Sequence, residues 1–264
     1  MAGEIPEEVA NLLDPTMESE LFDKVTVGKA TYYFVNQHDN DSGEQVIVRS
    51  VPGESPRVEE DILAEDQVSG APSVFSDKLQ AQLRANRGDD FVPQSSPSGG
   101  PVLSQSELDR TLSDQAVKCA TRPRMSSADA PGTQHGNLAC AWAVNRVTEM
   151  ALGREIGGGL ATASMVVVLR NKHKKINRPV SGCVVISPTV TAANGRRNIG
   201  HVGIVGVVDD SDDEGTKIYS NSSGAAEFQQ NKTLKSWIGQ YKTGKGLSVE
   251  FYELEPRLFP NAGA

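Results

Sequence analysis

The chain has 264 residues, with 34 acidic against 26 basic side chains and a formal charge of −8, a balance that argues against general nucleic-acid binding and against attraction to an anionic cell wall. Its 38% hydrophobic content permits a packed core in one large or two modest domains, and three cysteines are too few for a disulfide framework, so a reduced protein is expected. The opening Met1-Ala2-Gly3-Glu4-Ile5-Pro6-Glu7-Glu8 is acidic where a secretory leader is basic, and the longest apolar run, Met165–Leu169, is far too short for a bilayer. We therefore expect synthesis in the cytoplasm without a general secretory signal, no membrane span, and another route if the protein acts in the periplasm or cell wall.

In chain order, residues 4–13 read as a short acidic helix. Val25–Val35 and Gln45–Val51 read as a hairpin around the turn-forming His38-Asp39-Asn40-Asp41-Ser42-Gly43. Val74–Leu83 has a helical pattern. The Pro/Gly/Ser-rich stretch 93–106 reads as a linker, so the chain divides into an N-terminal module of unknown role (1–92), the linker, and a C-terminal domain (107–264). That domain begins with a helix over Ser106–Ala120, with Ser106 as N-cap. Helices are expected over about 138–152, stopped at Gly153, over about 160–172, and briefly over Leu234–Tyr241. Strands are expected near 181–187, 201–209, 216–221 and 247–254. Helices first and then antiparallel strands make an α+β fold.

Two segments carry the chemistry. Gly136-Asn137-Leu138-Ala139-Cys140-Ala141-Trp142-Ala143-Val144-Asn145-Arg146 is a small-residue turn running into a helix, with the cysteine at its start. Such a position favours thiolate, because a helix N-terminus carries partial positive charge. Gly200-His201-Val202-Gly203-Ile204-Val205 places a histidine at the head of a β-branched strand. A thiol and an imidazole so placed are the nucleophile and base of a cysteine hydrolase. Cys140 and His201 are the candidates for these roles.

Among the alternatives, Cys183 lies in an apolar run and reads as core, and Cys119 reads as structural. His135 is the rival base, close to Cys140 in sequence. His173 and His38 sit in a basic run and a turn and read as solvated. Asn221 is the candidate for orienting the imidazole, with Ser220 as the alternative. The backbone N–H of Cys140 is a natural oxyanion donor, to which Asn137 adds a side chain. Arg196 and Arg197 are placed to reach a substrate carboxylate at a cleft mouth. The basic run Arg170–Arg178 reads as a helix C-terminus, where cations are favoured, with contact to an anionic glycan or a partner as the alternative. Asp209-Asp210-Ser211-Asp212-Asp213-Glu214-Gly215 reads as a solvated turn rather than a calcium loop. No metal and no cofactor are expected.

The cysteine segment resembles the nucleophile helix of CHAP domains, the cysteine- and histidine-dependent amidohydrolases/peptidases, in its aromatic Trp142 soon after the cysteine and its Arg146 further along. Ser181–Ser187, Gly200–Val205 and Ile218–Asn221 resemble that family's successive core strands, so the likeness covers roughly residues 125–256. The family often has glutamine where this chain has Ala139, and a glutamate near Tyr219–Asn221 is missing. The resemblance implies a papain-like catalytic domain, with helices packed on an antiparallel sheet, preceded by a small separate N-terminal module. It implies attack by Cys140 on an amide of peptidoglycan through a thioester, with Asn137, Trp142 and Arg197 lining the substrate site. Partners would be peptidoglycan or a peptide-like amide, with an immunity or delivery protein in addition. Alternatives are an amidase or protease acting on a host protein or small amide, an inactive papain-like binding module in a phage or secretion assembly, and a cytoplasmic protein whose activity waits on the N-terminal module.

Overall fold

The computed structural model describes residues 4–27, 29–40, 42–58 and 102–259. The helix expected at 74–83 and the linker residues 93–101 lie outside that range.

The chain opens with α1 (Glu7–Ala10), shorter than expected, followed by β1 (Glu18–Val27), β2 (Ala30–His38), β3 (Gly43–Ser50) and β4 (Arg57–Val58). These strands form an antiparallel sheet in sequential order. The expected single strand over 25–35 is two strands, paired antiparallel with Val27 opposite Ala30. The turn between His38 and Gly43 is where the sequence places it.

The next element is α2 (Gln105–Ala120), with Ser104 as N-cap. Ser104 Oγ accepts from the Glu107 backbone N–H, and Glu107 Oε2 accepts from the Ser104 N–H at 2.9 Å. The reciprocal box needs a glutamate three residues after the cap. Glu107 satisfies that spacing for Ser104 and not for Ser106, so the helix begins inside the expected linker. Two further helices follow: α3 (Cys140–Leu152), ended by Gly153 at φ 74°, and α4 (Thr162–Lys172).

The remaining strands are β5 (Lys174–Ile176), β6 (Val184–Ser187), β7 (Val190–Thr191), β8 (Arg197–Asn198), β9 (His201–Val205), β10 (Lys217–Ser222), β11 (Glu227–Thr233) and β12 (Glu250–Glu253). Six of them form one antiparallel sheet in the order β11-β10-β9-β6-β12-β5, while β7 and β8 pair with each other. Between β11 and β12 lie α5 (Leu234–Trp237) and a π-helical turn over Ile238–Gly244. The described architecture is thus mixed α+β with antiparallel sheets.

Alternation along the strands splits the core in two. Val184, Ile186, Val202 and Ile204 pack with Leu108, Leu112, Val144, Val147 and Met165 of the helices. Cys183, Val185, Val205 and Ile218 pack with Leu234, Trp237 and Tyr241. A third cluster, Val9, Leu13, Met17, Val35, Val46 and Val48, is completed by Ile199 from the segment between β8 and β9. The N-terminal sheet is therefore docked rather than free-standing. The Arg197 backbone N–H donates to the Leu12 carbonyl at 2.9 Å, and Lys245 Nζ pairs with Asp14 Oδ2 at 3.1 Å.

The basic run is not simply a helix terminus. Lys174–Ile176 forms an edge strand, and Lys175 and Arg170 both pair with the buried Glu250. The Asp209–Gly215 segment is a turn, in which Asp209 Oδ1 accepts from the Ser211 N–H and hydroxyl.

Gly182 has φ +85°, and a Cβ there would lie 1.9 Å from the Asp109 carbonyl oxygen of α2. Gly182→Ala adds a strained backbone to a clash that only movement of α2 can relieve. It is expected to lower the unfolding free energy by at least about 2 kcal/mol, measured by urea denaturation. An unchanged midpoint would refute this close approach.

Candidate active site

Cys140 is the first residue of α3, preceded by Ala139, which offers no side-chain cap. The loop before it is tightly wound, with Gln134, His135 and Gly136 all at positive φ (49°, 59° and 92°). The thiol is 2% exposed. Burial pushes it up to about 12, the charge of Glu44 adds to this, and the backbone amides of Ala141, Cys140 and Val202 act in the opposite direction. The expected thiolate is thus absent from this arrangement. A helix N-terminus is worth at most about 2 kcal/mol to an adjacent charge, whereas full burial raises a thiol by several pK units. The Val202 amide nevertheless places the sulfur against the backbone of β9, one residue from His201.

His201 is fully buried. Its ring stacks on Tyr241 at 5.7 Å and meets Trp237, tilted, at 5.3 Å. Trp237 is fixed in turn by Nε1–H donating to Ser187 Oγ at 3.0 Å. Nε2 lies 3.0 Å from Ser220 Oγ, and the Ser220 hydroxyl donates to the oxygen assigned as Asn231 Oδ1 at 2.6 Å. A hydroxyl has one proton to give. With that amide orientation Ser220 accepts from Nε2–H; Asn231 Nδ2 is buried without a partner, and the reversed amide would make Ser220 the donor to Nε2. Nδ1 is buried with no hydrogen-bond partner, so no thiol–imidazole hydrogen bond is formed here. Burial, followed by the charges of Lys232 and Lys245, holds the ring well below the usual histidine range. The imidazole is neutral.

Asn221 does not meet the imidazole. Its Oδ1 accepts from Ser127 Oγ at 2.8 Å and its Nδ2 donates to the Gly136 carbonyl at 3.1 Å, both in the loop that leads to Cys140. Successive strand residues face opposite ways, which gives the ring to Ser220 and the loop to Asn221. Ser220, the alternative in the sequence reading, is the observed partner.

The other expected site residues are dispersed. The Asn137 carbonyl accepts from Ser223 Oγ at 2.8 Å. Trp142 packs against the helix-side core and lines an open cleft of about 430 Å³ with Arg146, Glu149, Glu155 and Asp129. Arg197 is not at a cleft mouth: it is buried, and its Nη2 pairs with Glu44 Oε1 at 3.1 Å. His135 is exposed in its turn, so it supplies no second base at the thiol. His173 is half-buried rather than solvated. Its Nδ1 accepts from the Glu255 N–H at 3.0 Å, its ring stacks on Phe259, and burial, then the charge of Lys172, lowers it to about 4. Cys183 is fully buried in the core, and Cys119 Sγ accepts from Gln115 Nε2 at 3.3 Å.

Sequence reasoning missed Trp237, Tyr241, Asn231 and Glu44. The i, i+4 spacing of Trp237 and Tyr241 was the available signal for an aromatic face. Nothing local marks Glu44, which reaches the site from the other end of the chain.

Among the described residues no group of three or more histidine, cysteine, aspartate or glutamate side chains is placed to hold a metal ion, and no helix is long and apolar enough to cross a membrane. No protein-family model, curated protein or solved structure matches the chain.

His201 and His173 have depressed folded-state values, so both are neutral in the folded protein while the unfolded chain binds protons below about 6.5. Stability is full above that pH and is lost as pH falls. For His173 the slope is about 1.4 kcal/mol per pH unit over the window from 6.5 to about 4, and the depressed His201 adds a loss of the same sign below 6.5. Urea denaturation at pH 7 and pH 5 measures this. A His173→Gln chain should lose less on acidification than the wild type.

Proposed function

We propose that the protein is a thiol amidohydrolase with a papain-like catalytic unit of the CHAP type, acting on an amide bond of peptidoglycan. The observation that carries this reading is the state of His201. Ser220 and Asn231 hold the ring through Nε2 and leave Nδ1 without a partner, while the Cys140 thiol rests on the amide of the next residue. An imidazole, an orienting group behind it and a nucleophile at a helix start are the parts of the generalised triad.

The sulfur packs on the helix face of the six-stranded sheet and the His201 ring on the other, against Trp237 and Tyr241. In the proposed reaction the ring must therefore first leave those aromatics and turn to the Cys140 sulfur, which then passes its proton to the imidazole. The sulfur attacks the amide carbonyl, and the oxyanion takes the Cys140 backbone N–H, which has no intrahelical partner at the start of α3. The imidazolium returns the proton to the leaving amine, and water then hydrolyses the thioester. Full burial of both groups requires the site to open first. The buried, neutral thiol also favours a second reading, an inactive papain-like binding module. Hydrolysis separates the two.

Mass spectrometry of purified sacculi treated with the full chain is expected to show released muropeptide fragments that disappear with Cys140→Ala and with His201→Ala. Ser220→Ala should lower turnover by roughly tenfold or more, because the ring loses its orienting partner. Asn221→Ala should act through the loop at Gly136, reducing stability and turnover together. Equal release by wild type and Cys140→Ala would overturn the proposed function.

A further inference from the structure

The strands of the N-terminal sheet meet the catalytic half at the segments that build the thiol site. Gly43 is packed so closely that a Cβ there would lie 1.9 Å from the carbonyl oxygen of Asn137, in the loop leading to Cys140. The Asn40 carbonyl accepts from Ser222 Oγ at 2.6 Å and from the Gly224 N–H at 3.2 Å, just beyond Ser220. Gln240, next to Tyr241, donates to Asp39 Oδ2 at 3.4 Å.

Between these contacts β3 delivers Glu44, which is 7% exposed. One carboxylate oxygen pairs with Arg197 Nη2 at 3.1 Å, and the other accepts from Thr189 Oγ1. Thr189 Oγ1 also receives the N–H of Gly200, the residue before His201, at 2.9 Å. The glutamate is thus tied to the start of the histidine strand, and its negative charge opposes ionisation of Cys140. A buried carboxylate–guanidinium pair adds little net stability over apolar packing. It is, however, a specific seat for a carboxylate, since the guanidinium and hydroxyl both point donors at it.

We propose that the N-terminal sheet is an intramolecular cap over the Cys140 thiol, with Glu44 seated where the free carboxylate of a peptide substrate binds. This rests on the proposed thiol chemistry and adds its regulation and a substrate feature. Displacing β3 removes the Glu44 charge, uncovers Arg197 and Thr189, and exposes the sulfur. A substrate carboxylate then takes the place of Glu44.

The test is the rate of iodoacetamide labelling at each cysteine of the full chain at neutral pH, resolved by peptide mass spectrometry. Cys140 in the wild type should label slowly. Gly43→Ala wedges β3 away from Asn137, and Glu44→Gln removes the charge while keeping the size. Each should speed Cys140 labelling by at least about tenfold, with Cys183 remaining protected. In the Glu44→Gln chain, N-acetylglycine should slow Cys140 labelling, and N-acetylglycinamide should not.

Unchanged Cys140 labelling in both variants overturns the cap. So does parallel acceleration of Cys140 and Cys183 in the Glu44→Gln chain, which would signal general loosening. If Gly43→Ala unfolds the protein, the Glu44→Gln rate decides alone. Equal effects of the acid and the amide overturn the carboxylate seat. A Glu44→Gln chain that labels quickly yet releases nothing from sacculi leaves the cap standing and removes the amidohydrolase. A wild type that digests sacculi as fast as Glu44→Gln does the reverse.

Discussion

The seam between the start of α3 and the start of β9 organises the molecule. There the Cys140 sulfur meets the Val202 amide, and water is excluded from both sides of the sheet. On the helix side Cys140 belongs to the same buried cluster as Ala141, Ala143 and Val144, all fully buried. On the other side Trp237 and Tyr241 close over His201. Desolvation outweighs the favourable field of the helix terminus and leaves two neutral groups where a reacting pair would be charged. The same low-dielectric surroundings would strengthen any hydrogen bond to an oxyanion formed there.

The sheet behind this seam is kept in place by polar anchors at its far edge. Glu250 of β12 is almost completely buried. It collects Arg170 from α4, Lys175 from β5, and Tyr252 and Ser248 from its own segment. Burial opposes its ionisation, but the hydrogen bonds from Arg170, Lys175, Tyr252 and Ser248 outweigh that and hold its carboxyl below the usual range. One carboxylate thereby links a helix to two strands. The basic run that follows α4 is consumed largely by this anchor and by the Lys174–Glu253 pair, which accounts for its composition without an external anion.

What the sequence made legible was the interior. Alternating β-branched residues marked β6 and β9, and the helix-compatible run after Cys140, ending at Gly153, marked α3. Within the six-stranded sheet the strands it concealed lie at the two edges; the two-residue strands β4, β7 and β8 were also unmarked. β11 reads Glu-Phe-Gln-Gln-Asn-Lys-Thr, with only Phe228 buried, and β5 reads Lys-Lys-Ile with no residue fully buried. Edge strands are paired on one side only, and polar side chains there discourage pairing with other chains, so they carry no hydrophobic period to read. The site was half legible for a related reason. Cys140 and His201 sit at the ends of elements with clear patterns. The choice of Ser220 over Asn221 depends on which face of β10 meets the ring, and a register slip of one residue reverses it. Glu44 could not be found at all, because its role comes from docking between distant parts of the chain.

The N-terminal cluster has Ile199 as a member, and this has a bearing on biosynthesis. A ribosome releases the first sheet long before it releases residue 199. Until then that sheet lacks part of its core, as well as the Arg197 and Lys245 partners of Glu44 and Asp14. Segments made first usually condense first, but here the last pieces arrive from far along the chain, and contacts of such long sequence separation form slowly. The N-terminal sheet and the thiol site therefore reach their final form together. On this order of events the N-terminal sheet stays incomplete until the strands around residue 199 have been made.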